Sequence, residues 1–251
     1  MARKHTIIVG GTKGVGRELA AILAADGQFV TAVGRTPGTF PEVAGGGQIV
    51  SLPGDVEQPE KLLAGLREHF GRRGMVSSLV FLQRYRGSGD AWAGELAVSL
   101  TATKVLLDGL APEFGPDGDR SVCVVTSSAG SLVARNQSLA YHTAKAALRQ
   151  MARFYAVKLG PQGIRVNAVA PCTFVKAESA AYYAGQAALR DVYAKVTPLG
   201  RMGTAKDVAE AVAFLCGPRA SFITGQELAV DGGLSLMLQD ALAREVAGVA
   251  G

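Results

Sequence analysis

The chain has 251 residues, 48% hydrophobic and 19% charged, a globular balance with enough apolar material for a large core. A net charge of +5 admits an anionic partner. The basic runs GRRG at 71–74 and QRYR at 83–86 are too short, and aromatics at 6% too few, for a nucleic-acid surface, so a phosphorylated small molecule is the favoured partner. Cys123, Cys172 and Cys216 are sparse and unpaired in spacing, which argues against a disulfide framework and against zinc. No apolar stretch approaches the roughly 20 residues that span a bilayer. The apolar run in MARKHTIIVGG is too short for a signal peptide. The expectation is a soluble, cytoplasmic protein with no metal, nucleic-acid or membrane partner.

In chain order, HTIIV (5–9) reads as a β-branched strand, followed by a glycine loop and the helical run GRELAAILAADG closed by Gly27. FVTAV (29–33) and GQIVSL (47–52) are strands, and 57–70 has helical apolar spacing. SSLVFL (77–82) is a strand. Trp92, Leu96, Leu100 and Leu107 mark 90–110 as one long helix. SVCVVTS (121–127) is a strand apolar almost throughout, as when both faces are covered. Residues 139–159 form a helix, and GIRVNAVAP (163–171) and QELAV (226–230) are the remaining strands. Strand and helix alternate from end to end without a linker or repeat. That predicts an α/β fold: a single domain over 1–251 with a doubly wound parallel sheet, its ligand beyond the carboxyl ends of the strands.

After the first strand come Gly10, Gly11, Thr12, Lys13, Gly14, Val15 and Gly16. Glycines here either close a tight strand–helix turn or let the backbone approach a pyrophosphate. The second strand ends in Gly34 and Arg35, without the carboxylate that would bind the ribose hydroxyls of NAD. Arg35 can stack on adenine and pair with a 2′-phosphate, and Lys13 can add a second charge; the alternative is two solvated surface cations. The cofactor predicted from these positions is NADP(H).

In SLAYHTAKAAL (138–148), Tyr141 and Lys145 lie four residues apart, so on a helix they share a face. A cation beside a phenol favours the phenolate and readies it for proton exchange, although the same spacing fits an exposed Lys next to a packed Tyr.

With the glycine loop, Ser128, Tyr141-xxx-Lys145, GIRVNAVAP, PLGRMGTAKDVAEAVAFL and ASFITGQELAVDGG in one order, the chain resembles the short-chain dehydrogenase/reductases, most of all the 3-oxoacyl-carrier-protein reductase type of ketoreductase. The resemblance covers nearly the whole chain and implies a Rossmann sheet of about seven parallel strands. It implies that Tyr141 protonates a carbonyl oxygen as hydride arrives. Lys145 would assist Tyr141 and bind the nicotinamide ribose, and Ser128 would hold the same oxygen, with Ser127 as its register competitor. Gly10, Thr12, Lys13, Gly14, Val15, Gly16, Arg35, Asp55, Val56, Pro171 and Phe174 would join Tyr141 and Lys145 around the cofactor. Residues 177–200 would form a substrate lid, in which Tyr182, Tyr183 and Tyr193 either line the pocket or pack helices. The tail at 234–251 would cover a subunit interface of a homodimer or homotetramer. Cys172 and His142 carry no role.

The chain also departs from the family pattern. Val9 replaces a Thr before the loop. Phe81-Leu82-Gln83-Arg84 stands where the family has Asn-Asn-Ala-Gly, and Ser99 stands where a proton-relay Asn belongs. Pro171-Cys172 replaces Pro-Gly, and Lys176 replaces a Thr. Two accounts fit. One is a reductase for an unusual carbonyl substrate, with Gln83, Arg84 or Arg86 facing the pocket. The other is related chemistry on the same scaffold: alkene reduction, isomerisation or water elimination. A non-catalytic NADP(H) sensor is a third reading, against which the Tyr141–Lys145 pair argues.

Overall fold

The computed structural model describes residues 3–40, 42–70, 75–116 and 118–249. The GRRG run at 71–74 and the last two positions of the tail lie outside them. The elements in chain order are β1 (His5–Val9), α1 (Gly14–Ala25), β2 (Phe29–Gly34), β3 (Gln48–Pro53), α2 (Pro59–Phe70), β4 (Ser78–Phe81), α3 (Ala91–Glu95), α4 (Ala102–Leu110), β5 (Arg120–Val125) and α5 (Leu139–Leu159). They continue with β6 (Ile164–Pro171), β7 (Phe174–Val175), α6 (Ala180–Ala184), α7 (Ala187–Val196), β8 (Gly203–Thr204), α8 (Ala205–Cys216), β9 (Glu227–Val230) and α9 (Gln239–Ala247).

Seven strands form one parallel sheet in the order β3-β2-β1-β4-β5-β6-β9. The expected single-domain Rossmann architecture is therefore present. The alternation of strand and helix dictates it, because parallel neighbours need a crossover and helices must cover both faces. On one face, Leu62, Leu66, Leu106, Leu110, Leu148 and Leu159 from α2, α4 and α5 meet Ile7, Leu79, Val122 and Val166 of the strands. On the other, Leu19 and Leu23 of α1 and Val208, Val212 and Leu215 of α8 cover Ile8, Val30, Val80 and Val169. The strand order reverses between β1 and β4. The glycine loop and the segment after Phe81 thus flank the crevice where such sheets bind ligands.

Two elements differ from the sequence expectation. The helix read over 90–110 is α3 and α4 joined by a π-helical turn at Leu96–Thr101. One extra residue per turn is accommodated there, and the Thr103 hydroxyl donates to the Ser99 carbonyl at 2.7 Å. The strand read over 121–127 ends at Val125. The Thr126 N–H still donates to Val169 O at 2.9 Å, but Ser127 turns away as the N-cap of a 3₁₀ turn. The short β7–β8 pair was not foreseen; it brackets the segment that carries α6 and α7. The tail helix α9 packs against α7.

Loop geometry is fixed by contact as well as by torsion. Gly10 has φ +83°, and the Gly10 and Gly11 N–H groups both donate to Val33 O at 2.9 Å. A Cβ at Gly16 would overlap the Gly10 carbonyl oxygen and lie 2.6 Å from Gly11 Cα, where only rigid backbone can yield. Gly16→Ala should therefore cost about 1–3 kcal/mol, as overpacking does. Thermal denaturation should show a melting temperature lower by roughly 2–12 °C; an unchanged melting temperature would contradict this packing.

Candidate active site

The carboxyl ends of the strands open into a cleft of about 1170 Å³. Gly10, Thr12, Lys13, Gly14, Val15, Gly16, Arg35, Asp55, Val56, Ser128, Tyr141, Lys145, Pro171 and Phe174 all line it. Ser99 does not. It is fully buried behind the cleft, and its hydroxyl donates to Glu95 Oε2 at 3.1 Å.

At one end, Lys13 is the N-cap residue of α1 and Arg35 follows β2, both in the wall of the cleft. Asp55 is partly committed to its own turn, where its Oδ1 accepts the Glu57 N–H at 3.0 Å. At the other end, Lys145 of α5 is only 4% exposed and donates to the Val125 carbonyl at 3.1 Å. Its Nζ lies 5.7 Å from the Tyr141 ring centroid, as the four-residue spacing on one helix requires. Burial lowers the Lys145 pKa to about 8; the charge of Glu95 opposes the shift and that of Arg84 adds to it.

Ser128 sits in the turn after β5, facing the same cleft. Its competitor Ser127 also lines the cleft, but its Oγ accepts the Ala129 N–H at 3.2 Å and closes the turn. The loop between Ser128 and α5 is fastened by His142, whose Nε2 accepts the Ala134 N–H at 2.8 Å while Nδ1 lies 2.7 Å from Ser138 O. Arg149 adds a bond to Ser131 Oγ at 2.7 Å and pairs with Glu227, which also accepts from Thr126 Oγ1 at 2.7 Å. The scaffold thus holds the Ser128 turn from both sides.

Sequence reasoning missed Glu95. It is 4% exposed and belongs to a polar chain that runs into the core. Gln83 Nε2 donates to Thr103 Oγ1 at 2.8 Å, Thr103 Oγ1 to the Ser99 carbonyl, and Ser99 Oγ to Glu95. The signal was a carboxylate within the apolar run 91–98, four residues before Ser99. Arg84 lies with Cζ 4.4 Å from the Tyr141 ring centroid and donates from Nη2 to Gln137 Oε1 at 2.8 Å. Tyr182 and Tyr183 of α6 and Tyr193 of α7 line the cleft as well. The Cys172 thiol is pushed up by burial and by Asp231, which does not suit a nucleophile.

The cleft suits a dinucleotide. Its length joins the glycine loop to Lys145, and the first turn of α1 accepts an anionic oxygen: the Gly14 N–H donates to the Glu178 carboxylate at 3.0 Å. Among the described residues no cluster of His, Cys, Asp and Glu could hold a metal ion, and no helix is long and apolar enough to cross a membrane.

Residues 9–235 match a family model described as enoyl-(acyl carrier protein) reductase. The chain is 30% identical over 250 residues to dehydrogenase/reductase SDR family member 4 of Mus musculus, covering 93% of this chain and 88% of that one. It is also 30% identical over 243 residues to a tropinone reductase homolog of Arabidopsis thaliana, covering 92% and 90%. Among solved structures, a short-chain type dehydrogenase/reductase from Mycobacterium ulcerans superposes with a TM-score of 0.81 at 27% identity, over 97% of this chain and 99% of that one. Ligand-free aldohexose dehydrogenase from Thermoplasma acidophilum gives 0.82 at 26% identity, over 95% and 96%. The chain therefore belongs to the short-chain dehydrogenase/reductase family, oxidoreductases that use a nicotinamide cofactor.

Proposed function

We propose that the protein reduces a ketone to a secondary alcohol with NADPH. The observation that carries this reading is the convergence of Ser128, Tyr141 and Lys145 on the wall of one cleft, at the far end from Lys13 and Arg35. When bound, the dinucleotide supplies the hydride that adds to the carbonyl carbon. The residues of the chain then manage the oxygen. The Ser128 and Tyr141 hydroxyls donate to it as negative charge develops, and Tyr141 gives up its proton to complete the alcohol. Lys145, fixed by the Val125 carbonyl, keeps a positive charge beside the resulting phenolate and binds the ribose. Water outside the cleft returns the proton to Tyr141.

Gly10, Thr12, Gly14, Val15 and Gly16 form the phosphate cradle, Asp55 and Val56 flank the adenine, and Pro171 and Phe174 border the nicotinamide. NADPH is favoured over NADH because the end of β2 offers Arg35 and no carboxylate. Association into a homodimer or homotetramer fits the exposed apolar side chains Phe154 and Val157 on α5.

Tyr141→Phe should lower kcat by at least roughly 10²-fold, as loss of a general acid does. NADPH affinity, measured by fluorescence titration, should stay within a few-fold; a mutant turning over at the wild-type rate would remove Tyr141 from the chemistry. In steady-state assays with both cofactors, Arg35→Asp should move the kcat/KM ratio toward NADH by at least about tenfold, the weight of one charge-assisted contact. An unchanged ratio would refute the role of Arg35.

The pH dependence has a defined sign. Lys145 is protonated below its pKa of about 8 and loses its charge above it, so reduction should decline as pH rises through that value. Glu95 opposes the downward shift, so Glu95→Gln should move the falling limb to lower pH in a kcat–pH profile. A limb that stays in place would show that Glu95 acts on packing alone. A product survey by mass spectrometry with ketones, 3-oxoacyl thioesters and conjugated enones distinguishes carbonyl reduction from alkene reduction.

A further inference from the structure

We propose that the substrate is an anionic ketone, a 2-oxo or 3-oxo carboxylate, whose carboxylate is held by Arg84 beside the reacting carbonyl. This rests on the ketone-reductase reading above and adds the substrate class to it.

Arg84 lies in the cleft with its guanidinium carbon 4.4 Å from the Tyr141 ring centroid, so any group it binds adjoins the phenol. Among the described residues its side chain has one hydrogen-bond partner, and a neutral one, the Gln137 side-chain oxygen at 2.8 Å; its Nε is buried and finds none. Among the described residues it takes part in no ion pair with a carboxylate. A half-buried guanidinium whose partners are an amide oxygen and an aromatic ring, with no carboxylate, is an incompletely compensated cation.

Its surroundings do not supply the missing charge. Arg86 and Lys176 line the same part of the cleft, and both Arg86 and Arg84 act on the Lys176 ammonium electrostatically. Lys145 also feels Arg84. Two carboxylates are near, and neither pairs with Arg84: Glu95 bonds with Ser99 and opposes the charge of Lys145, and Glu178 accepts the Gly14 N–H and opposes the charge of Lys176. Arg84, Arg86, Lys145 and Lys176 thus all line the cleft, and against two nearby carboxylates they leave a net positive field that favours an anion. The dinucleotide phosphates belong to the opposite end, at the glycine loop, Lys13 and Arg35. A planar carboxylate matches the guanidinium fork, and because Arg84 lies against the Tyr141 ring the proposal takes a short spacer between carboxylate and carbonyl, as in a 2-oxo or 3-oxo acid. The reaction stays balanced: the ketone gains hydride from NADPH and a proton from Tyr141, and the carboxylate is unchanged.

The test uses the full chain saturated with NADPH and four probes: 2-oxohexanoate, 3-oxohexanoate and the methyl ester of each. The wild type should favour at least one acid over its ester in kcat/KM by roughly 10- to 100-fold, the value of a hydrogen-bonded charge. Arg84→Met should bring that ratio near one, and Arg84→Lys should restore part of it. Equal use of acid and ester by the wild type, or a ratio unmoved in Arg84→Met, overturns the proposal and leaves ketone reduction standing. If no probe is reduced, calorimetry of 3-hydroxyhexanoate and 2-hydroxyhexanoate binding to the NADP+-loaded protein decides. Binding lost in Arg84→Met and kept in Arg84→Lys supports the anion site although ketone reduction fails; no binding of either overturns both.

Discussion

The organisation of this protein depends on one ammonium group taken out of water. Lys145 is 4% exposed, and a lone buried charge is costly unless carbonyls and carboxylates surround it. The Val125 carbonyl at the end of β5 and the charge of Glu95 behind it fill that need. Because β5 ends at Val125, the chain is free to turn through Ser127 and bring Ser128 to the same cleft. Because Lys145 is on α5, Tyr141 one turn earlier faces the same way. The glycine loop, two strands away across the switch in strand order, supplies the other end of the cleft. Fold and chemistry meet at one side chain.

A polar chain ending at Glu95 ties the segment after β4 to the helices that follow it. Gln83, Thr103, Ser99 and Glu95 are linked in sequence by hydrogen bonds, and the π-helical turn at Leu96–Thr101 sets the spacing between the last two links. Leu82 and Gln83 pack on Gly10, Gln83 reaches inward, and Arg84 reaches outward over Tyr141. The segment after β4 and the helix that carries Glu95 are therefore coupled by one hydrogen-bonded chain. Buried networks of this kind tolerate loss of a single member poorly, since each leaves an unpaired group.

Much of the fold was legible because two periods are hard to counterfeit. Runs such as HTIIV and SVCVV are apolar on both faces, as only a covered parallel strand needs to be, and the 139–159 segment keeps helical spacing to its end. The glycine loop and the Tyr141–Lys145 spacing were readable for the same local reason. Glu95 was passed over because the helix was read for its apolar stripe alone, and the π turn that follows it shifts the register of the residues beyond. The placement of Arg84 depends on the path of an irregular loop, and His142, set aside on sequence grounds, proved to fasten the Ser128 loop through Ala134 and Ser138. The β7–β8 pair of two residues each is too short to leave a pattern.

The central claim is that the hydroxyls of Ser128 and Tyr141 and the ammonium of Lys145 surround one reacting oxygen next to a bound dinucleotide. A crystal structure of the NADP+ complex tests it most directly. The account predicts a nicotinamide ring within reach of Tyr141, its ribose on Lys145, and Arg84 on the side left open for substrate. A dinucleotide whose ring lies away from Tyr141, or a ring position filled by the Arg84 side chain, would contradict it.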